Sequence, residues 1–154
     1  MDDMELTPLH PNYAKALRLV AILVAIPFAI GALVLESADV LPMGVFAVPV
    51  FLALAYMVIR MPLRRYGARG YSIAEERLRV VRGILFRSDT VVPFGRVQHI
   101  DVNQGPIERF YEIATLTVHT AGTHNSSVNL PGLDPADARA MRDEIRAAIR
   151  RDTL

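Results

Sequence analysis

Two runs decide how this chain is read: LVAILVAIPFAIGALVL at residues 19–35 and VLPMGVFAVPVFLALAYMVI at residues 40–59, neither holding a charged side chain. They are 17 and 20 residues long, and only Glu36-Ser37-Ala38-Asp39 separates them. A helix rises about 1.5 Å per residue, so the second run covers the roughly 30 Å of bilayer hydrocarbon. The first reaches that length once Ala16, Leu17 and a snorkelling Arg18 are counted in. The pair reads as a transmembrane helical hairpin over residues 16–60, with a short polar lead at 1–15, a basic linker at 61–68 and one folded domain at 69–154.

Outside the hairpin the charge is arranged by position. The formal net charge is only +1, yet sixteen of the seventeen basic residues are arginine, and Arg60, Arg64, Arg65 and Arg69 crowd the exit of the second run. Glu36 and Asp39 put only acids between the runs, while Lys15 and Arg18 precede the first. The positive-inside rule then puts the connection outside and both termini in the cytoplasm. A cleaved signal peptide over residues 15–38 is the rival, but its apolar stretch is long, Glu36 stands at the −3 position of a cut after Ala38, and a second run follows at once. The four arginines are expected at the membrane surface, each worth about 1 kcal/mol beside an anionic leaflet.

Within the hairpin, Ala21, Ala25 and Ala29 recur every fourth residue, with Gly44 and Ala47 as candidates to oppose them on the second helix. Small residues on one face let helices approach closely, within a chain or between copies. Pro27 and Pro49 are expected to kink their helices, and Pro42 to sit in a first turn. No charged residue lies inside either run, which argues against a transport path. The near-balanced charge argues against a nucleic-acid binder. With no cysteine, disulfides, thiolate metal sites and cysteine nucleophiles are excluded.

Beyond Arg69 the pattern becomes β. Residues 71–73 and 78–81 flank a turn at Ala74-Glu75-Glu76-Arg77, and strand character is read from Ile84-Leu85-Phe86 through Val92. From Val97 to Val102, Gln98, Ile100 and Val102 are expected on one face with Val97, His99 and Asp101 on the other. Ala114, Leu116 and Val118 alternate with Thr115, Thr117 and His119, and a last strand follows Ser127. A final helix has Asp134 as cap, Pro135 at its first position, and an apolar stripe of Met141, Ile145, Ala148 and Ile149.

This order resembles the YdbS-type bacterial family of membrane proteins with pleckstrin-homology-like (PH-like) domains. The likeness is carried by Gly83-Ile84-Leu85, by Pro93 with Arg96-Val97-Gln98, by Val102 through Arg109, by Ala114-Thr115-Leu116 and by Thr120-Ala121-Gly122. It implies two packed antiparallel sheets closed by a C-terminal α-helix, in a bacterial cytoplasmic-membrane protein tied to envelope maintenance and paired with a larger PH-like relative. Glu112 departs from the pattern, since such proteins usually carry glycine there; if that glycine serves a positive φ, the turn before Ile113 is expected to differ.

Phosphoinositide binding does not transfer, because the turn at 74–77 carries two acids where clustered cations would be needed. Gln104-Gly105-Pro106-Ile107-Glu108-Arg109 is turn chemistry first, with Ile107 and Phe110 plugging the core; its functional reading is a recognition loop in which Arg109 meets a partner carboxylate. The candidate partner surface comprises Arg96, Gln104, Glu108, Arg109, His119 and His124. His99, Asp101 and His119 would share an outward face if their strands pair, the remotest of the readings being an enzyme that uses His99 and Asp101. No catalytic residue, metal or cofactor is assigned. The expectation is a membrane-anchored interaction module whose partners are membrane lipids and a membrane protein, or a second copy of itself.

Overall fold

The computed structural model describes residues 5–38, 42–122 and 127–152. In chain order the elements are β1 (Thr7–Pro8), α1 (Asn12–Ser37), α2 (Ala47–Gly67), β2 (Gly70–Ala74), β3 (Arg77–Arg82), β4 (Ser88–Pro93), a 3₁₀ turn (Phe94–Arg96), β5 (Val97–Asn103), α3 (Pro106–Phe110), β6 (Ala114–Thr120), β7 (Ser127–Leu133) and α4 (Pro135–Asp152). The strands form two antiparallel sheets, ordered β1-β2-β3-β4 and β5-β6-β7, and α4 lies against β5 and β6. This is the transmembrane hairpin followed by a PH-like domain that the sequence led us to expect.

The hairpin pairs α1 with α2, and its outward residues, among them Leu23, Phe28, Val34 and Leu52, leave half or more of their surface exposed. A soluble core helix would hide such residues; here the covering medium is lipid. The second helix is shifted along the sequence. It starts at Ala47, so Pro42 precedes it and Pro49 falls in its first turn, where a missing N–H costs nothing and no kink follows. It runs on to Gly67, so the linker expected at 61–68 is helical apart from Ala68. Gly44 and Ala47 do not oppose the alanines. Their N–H groups donate to the Glu36 carboxylate, which ties the tip of the hairpin, whereas Ala21 faces Met57 and Met61 near the other end. Ala25 and Ala32 are buried in the helix pair, and Ala21 and Ala29 are half-buried.

The polar lead is not separate from the domain. Thr7 and Pro8 pair with Tyr71 and Gly70, adding a fourth strand to the first sheet. Leu9, Tyr13 and Ala16 are buried in the same core as Leu78, Leu116, Leu130 and Ile145. A boundary at residue 15 therefore cuts through the core.

Between β2 and β3 the two-residue turn is as read: Glu75 and Glu76 adopt φ of 50° and 60°, matching the twist of a tight hairpin. Ile84-Leu85-Phe86 is not a strand but a loop, and pairing resumes only at Ser88. The expected alternation in β5 also fails at its start. Val97 pairs with Thr120 and His99 with His119, leaving Gln98 as the extra residue of a bulge; Val97 and Ile100 thereby both turn inward. Phe110 is exposed rather than a core plug, and Ile107 is only half-buried, packed against the core. In α4 the Asp134 carboxylate accepts the Ala136 N–H at 2.8 Å, and Met141, Ile145 and Ala148 are buried beneath the sheets.

The turn before Ile113 keeps a left-handed residue without glycine. Glu112 has φ of 54° and an exposed side chain. The left-handed region costs an L-residue with a Cβ about 1 kcal/mol, and no contact of an exposed side chain offsets it. Glu112→Gly is expected to stabilise the chain by about 1 kcal/mol in denaturant unfolding. A lower midpoint for the variant would show that Glu112 makes up its strain elsewhere.

Candidate functional site

The most tightly built polar region joins the anchor to the domain. Tyr13, on the first turn of α1, lies buried against β7, and its hydroxyl accepts a 2.5 Å hydrogen bond from the Arg69 guanidinium, which also stands 5.5 Å from the ring centroid. Tyr66, near the end of α2, donates its hydroxyl to the Leu9 carbonyl at 2.8 Å. The His10 N–H donates to the Gly132 carbonyl at 2.7 Å, and the Asn12 side-chain amide donates to the Tyr111 carbonyl at 3.0 Å. Both helices are thus keyed to the domain by hydrogen bonds and a shared core. Tyr13, Ala16 and Leu17 stand at i, i+3 and i+4, a spacing that flags one buried helix face.

Arg60, Arg64 and Arg65 are exposed on α2, and Arg64 stands 5.9 Å from the Tyr56 ring centroid. They suit a membrane surface. Arg69 differs, because its guanidinium is engaged by Tyr13 and it belongs to the junction.

The candidate partner residues separate in the same way. Glu108 accepts the Gly105 N–H at 2.7 Å and the Thr115 hydroxyl, stitching the start of α3 to β6. Gln104 donates its amide to the Ile113 carbonyl at 2.9 Å. Both are structural. Arg96 and Arg109 have exposed side chains, and His119 is half-buried. His124 lies outside the described residues.

His99, Asp101 and His119 do share one face of β5 and β6. His99 Nε2 is 2.8 Å and His119 Nε2 3.3 Å from the Asp101 carboxylate, with the imidazole centroids 6.0 Å apart. The group is open to solvent, and among the described residues no set of three His, Asp or Glu is arranged to hold a metal. On the other sheet Arg79 grips Asp89 through both carboxylate oxygens, and those hydrogen bonds hold the Asp89 carboxyl below the usual carboxylate range. This cross-strand pair decorates an exposed sheet face.

A PH-like domain fused to a membrane hairpin defines a class of membrane-associated module. The chain belongs to the bacterial PH domain family, whose model matches residues 12–149, hairpin included. It is 33% identical over 93 residues to the UPF0699 transmembrane protein YdbS of Bacillus subtilis (strain 168). That stretch is 60% of this chain and 57% of the relative, so the match spans a little over half of the relative's length. No solved structure matches significantly.

Proposed function

We propose that this protein is a two-pass protein of the bacterial cytoplasmic membrane that presents its PH-like domain on the cytoplasmic side as a docking module, a subunit or scaffold of an envelope-maintaining membrane complex. The observation that carries this reading is the shared core. Tyr13 and Ala16 from the anchor helix α1, with Leu9 just before it, are buried with the domain's own residues, so the domain is held in one attitude to the bilayer. A fixed attitude lowers the ordering cost for a surface that must meet another membrane protein. Arg60, Arg64 and Arg65 at the domain end of α2 support the orientation. A groove of about 260 Å³ between the helices, lined by Ala21, Val24, Met57 and Met61, offers room for one or two side chains of a partner's helix. The partner is a membrane protein, a larger PH-like relative being the kind that fits, and the reading assigns no reaction to the chain.

Two measurements test it. Because the chain has no cysteine, single variants Ser37→Cys and Arg77→Cys report sidedness without background. An impermeant maleimide applied to intact cells should label Ser37→Cys alone; labelling of Arg77→Cys would overturn the orientation. Photo-crosslinkers at Arg96 and Arg109 in the native membrane should yield one adduct of discrete mass, reproduced when the identified partner is tagged. Adducts with lipid and abundant proteins only would sink the docking reading in favour of a module that acts on lipid headgroups directly.

A further inference from the structure

The loop between β3 and β4 is the most exposed apolar feature of the domain. Leu85 and Phe86 each keep 90% of their surface open, and Ile84 keeps 40%. Scattered apolar residues are ordinary on protein surfaces, but two adjacent large ones at the tip of a loop are not. The loop's shape is built in. Gly83 has φ of 115°, and a Cβ there would fall 1.9 Å from the Phe86 carbonyl oxygen, so only glycine lets the chain fold back and throw residues 84–86 outward. Exposed arginines, Arg82 and Arg87, flank the tip.

The position of the loop says what covers it. Ile84, Leu85 and Phe86 border a groove of about 470 Å³ whose other wall is α2 at Met61 and Arg65, with Ala68 just past its end. Met61 lies two residues past Ile59, the end of the charge-free run, and Arg65 six, or about 3 and 9 Å along the axis. The loop therefore stands beside the helix where it leaves the hydrocarbon, at the depth of the headgroups. Amphipathic segments lie there with apolar side chains about 5–10 Å into the headgroup–acyl boundary and cations among the phosphates.

We infer that the β3–β4 loop is a third membrane contact: Leu85 and Phe86 insert into the acyl boundary of the leaflet the domain faces, and Arg82, Arg87 and Arg65 bind anionic lipid phosphates around them. The inference rests on the membrane-anchored reading but needs no protein partner. It explains why an apolar tip is tolerated on a domain held against lipid.

The chain contains no tryptophan, so Phe86→Trp and Leu85→Trp are single reporters. Arg77→Trp, at the opposite end of β3, is the control. The full chain is reconstituted into vesicles of phosphatidylethanolamine and phosphatidylglycerol brominated on the acyl chains. Both loop reporters should emit blue-shifted light and be quenched several-fold more than the control. Water-like emission without quenching overturns the inference. Blue-shifted emission without bromine quenching also overturns it, since an apolar protein surface then covers the loop. Loss of the docking partner in the crosslinking experiment would leave these signals unchanged, so the two readings fail separately.

Discussion

Replacing Gly132 with alanine is expected to cost about 3 kcal/mol and to loosen α1 from the domain. Two effects add at this one position. Gly132 has φ of 72°, which costs an L-residue about 1–2 kcal/mol. A Cβ there would also stand 2.8 Å from the Tyr13 Cβ and 2.7 Å from its Cγ. Overpacking of that kind costs about 1–3 kcal/mol. The Tyr13 Cβ is fixed to the helix backbone, so no rotamer change clears the way and α1 itself must move. That movement would strain the hydrogen bond from the His10 N–H to the Gly132 carbonyl and withdraw the Tyr13 hydroxyl from Arg69. Hydrogen exchange should therefore rise over residues 9–16 more than over β5 and β6, and the denaturation midpoint should fall. An unchanged exchange pattern at the start of α1 would mean the junction is not the seam described here.

What could be read from the sequence follows a simple division. The hairpin announces itself because charge-free runs of that length have few other uses. The turn at Glu75-Glu76 and the helix from Pro135 are local decisions, governed by the strands on either side or by a cap and an apolar stripe, and both stand as read. What was misread depends on tertiary context. Thr7 and Pro8 make a strand only because β2 supplies a partner edge, and a two-residue strand containing proline has no pattern of its own. Ile84-Leu85-Phe86 has the composition of a strand, yet Gly83 turns it outward before pairing resumes. The bulge at Gln98 shifts one register position, which periodicity cannot announce.

Among the site residues the same division holds. Arg60, Arg64 and Arg65 are exposed on the helix that carries them, but Arg69 was assigned to the membrane by proximity in sequence, and Tyr13 claims it. Gln104 and Glu108 looked available because their acceptors and donors, the Ile113 carbonyl, the Gly105 N–H and the Thr115 hydroxyl, come into place only when α3 folds back on β6. The outward grouping of His99, Asp101 and His119 followed from strand alternation and is present, open to solvent.

A fragment starting at Arg69 is expected to fail as a cooperative domain. It would lack Leu9 and Tyr13, each buried in the core, and the half-buried Tyr66 packed against it. It would also lack β1, leaving β2 as a bare edge. Burying one large apolar side chain contributes about 1.5–3 kcal/mol, so these three account for about 5 kcal/mol. A domain's whole stability is only about 5–15 kcal/mol, and a small one sits low in that range. Leu17 and Arg65 border one groove, so the two helices stand side by side at the domain end. Residues 5–18 can therefore be joined to residues 66–152 by a short flexible linker in place of the hairpin. That soluble form should unfold in one cooperative transition, while the fragment from Arg69 should bind an apolar dye and melt without one. Equal midpoints for the two would show that the anchor merely tethers the domain, and would remove the fixed attitude on which the docking reading depends.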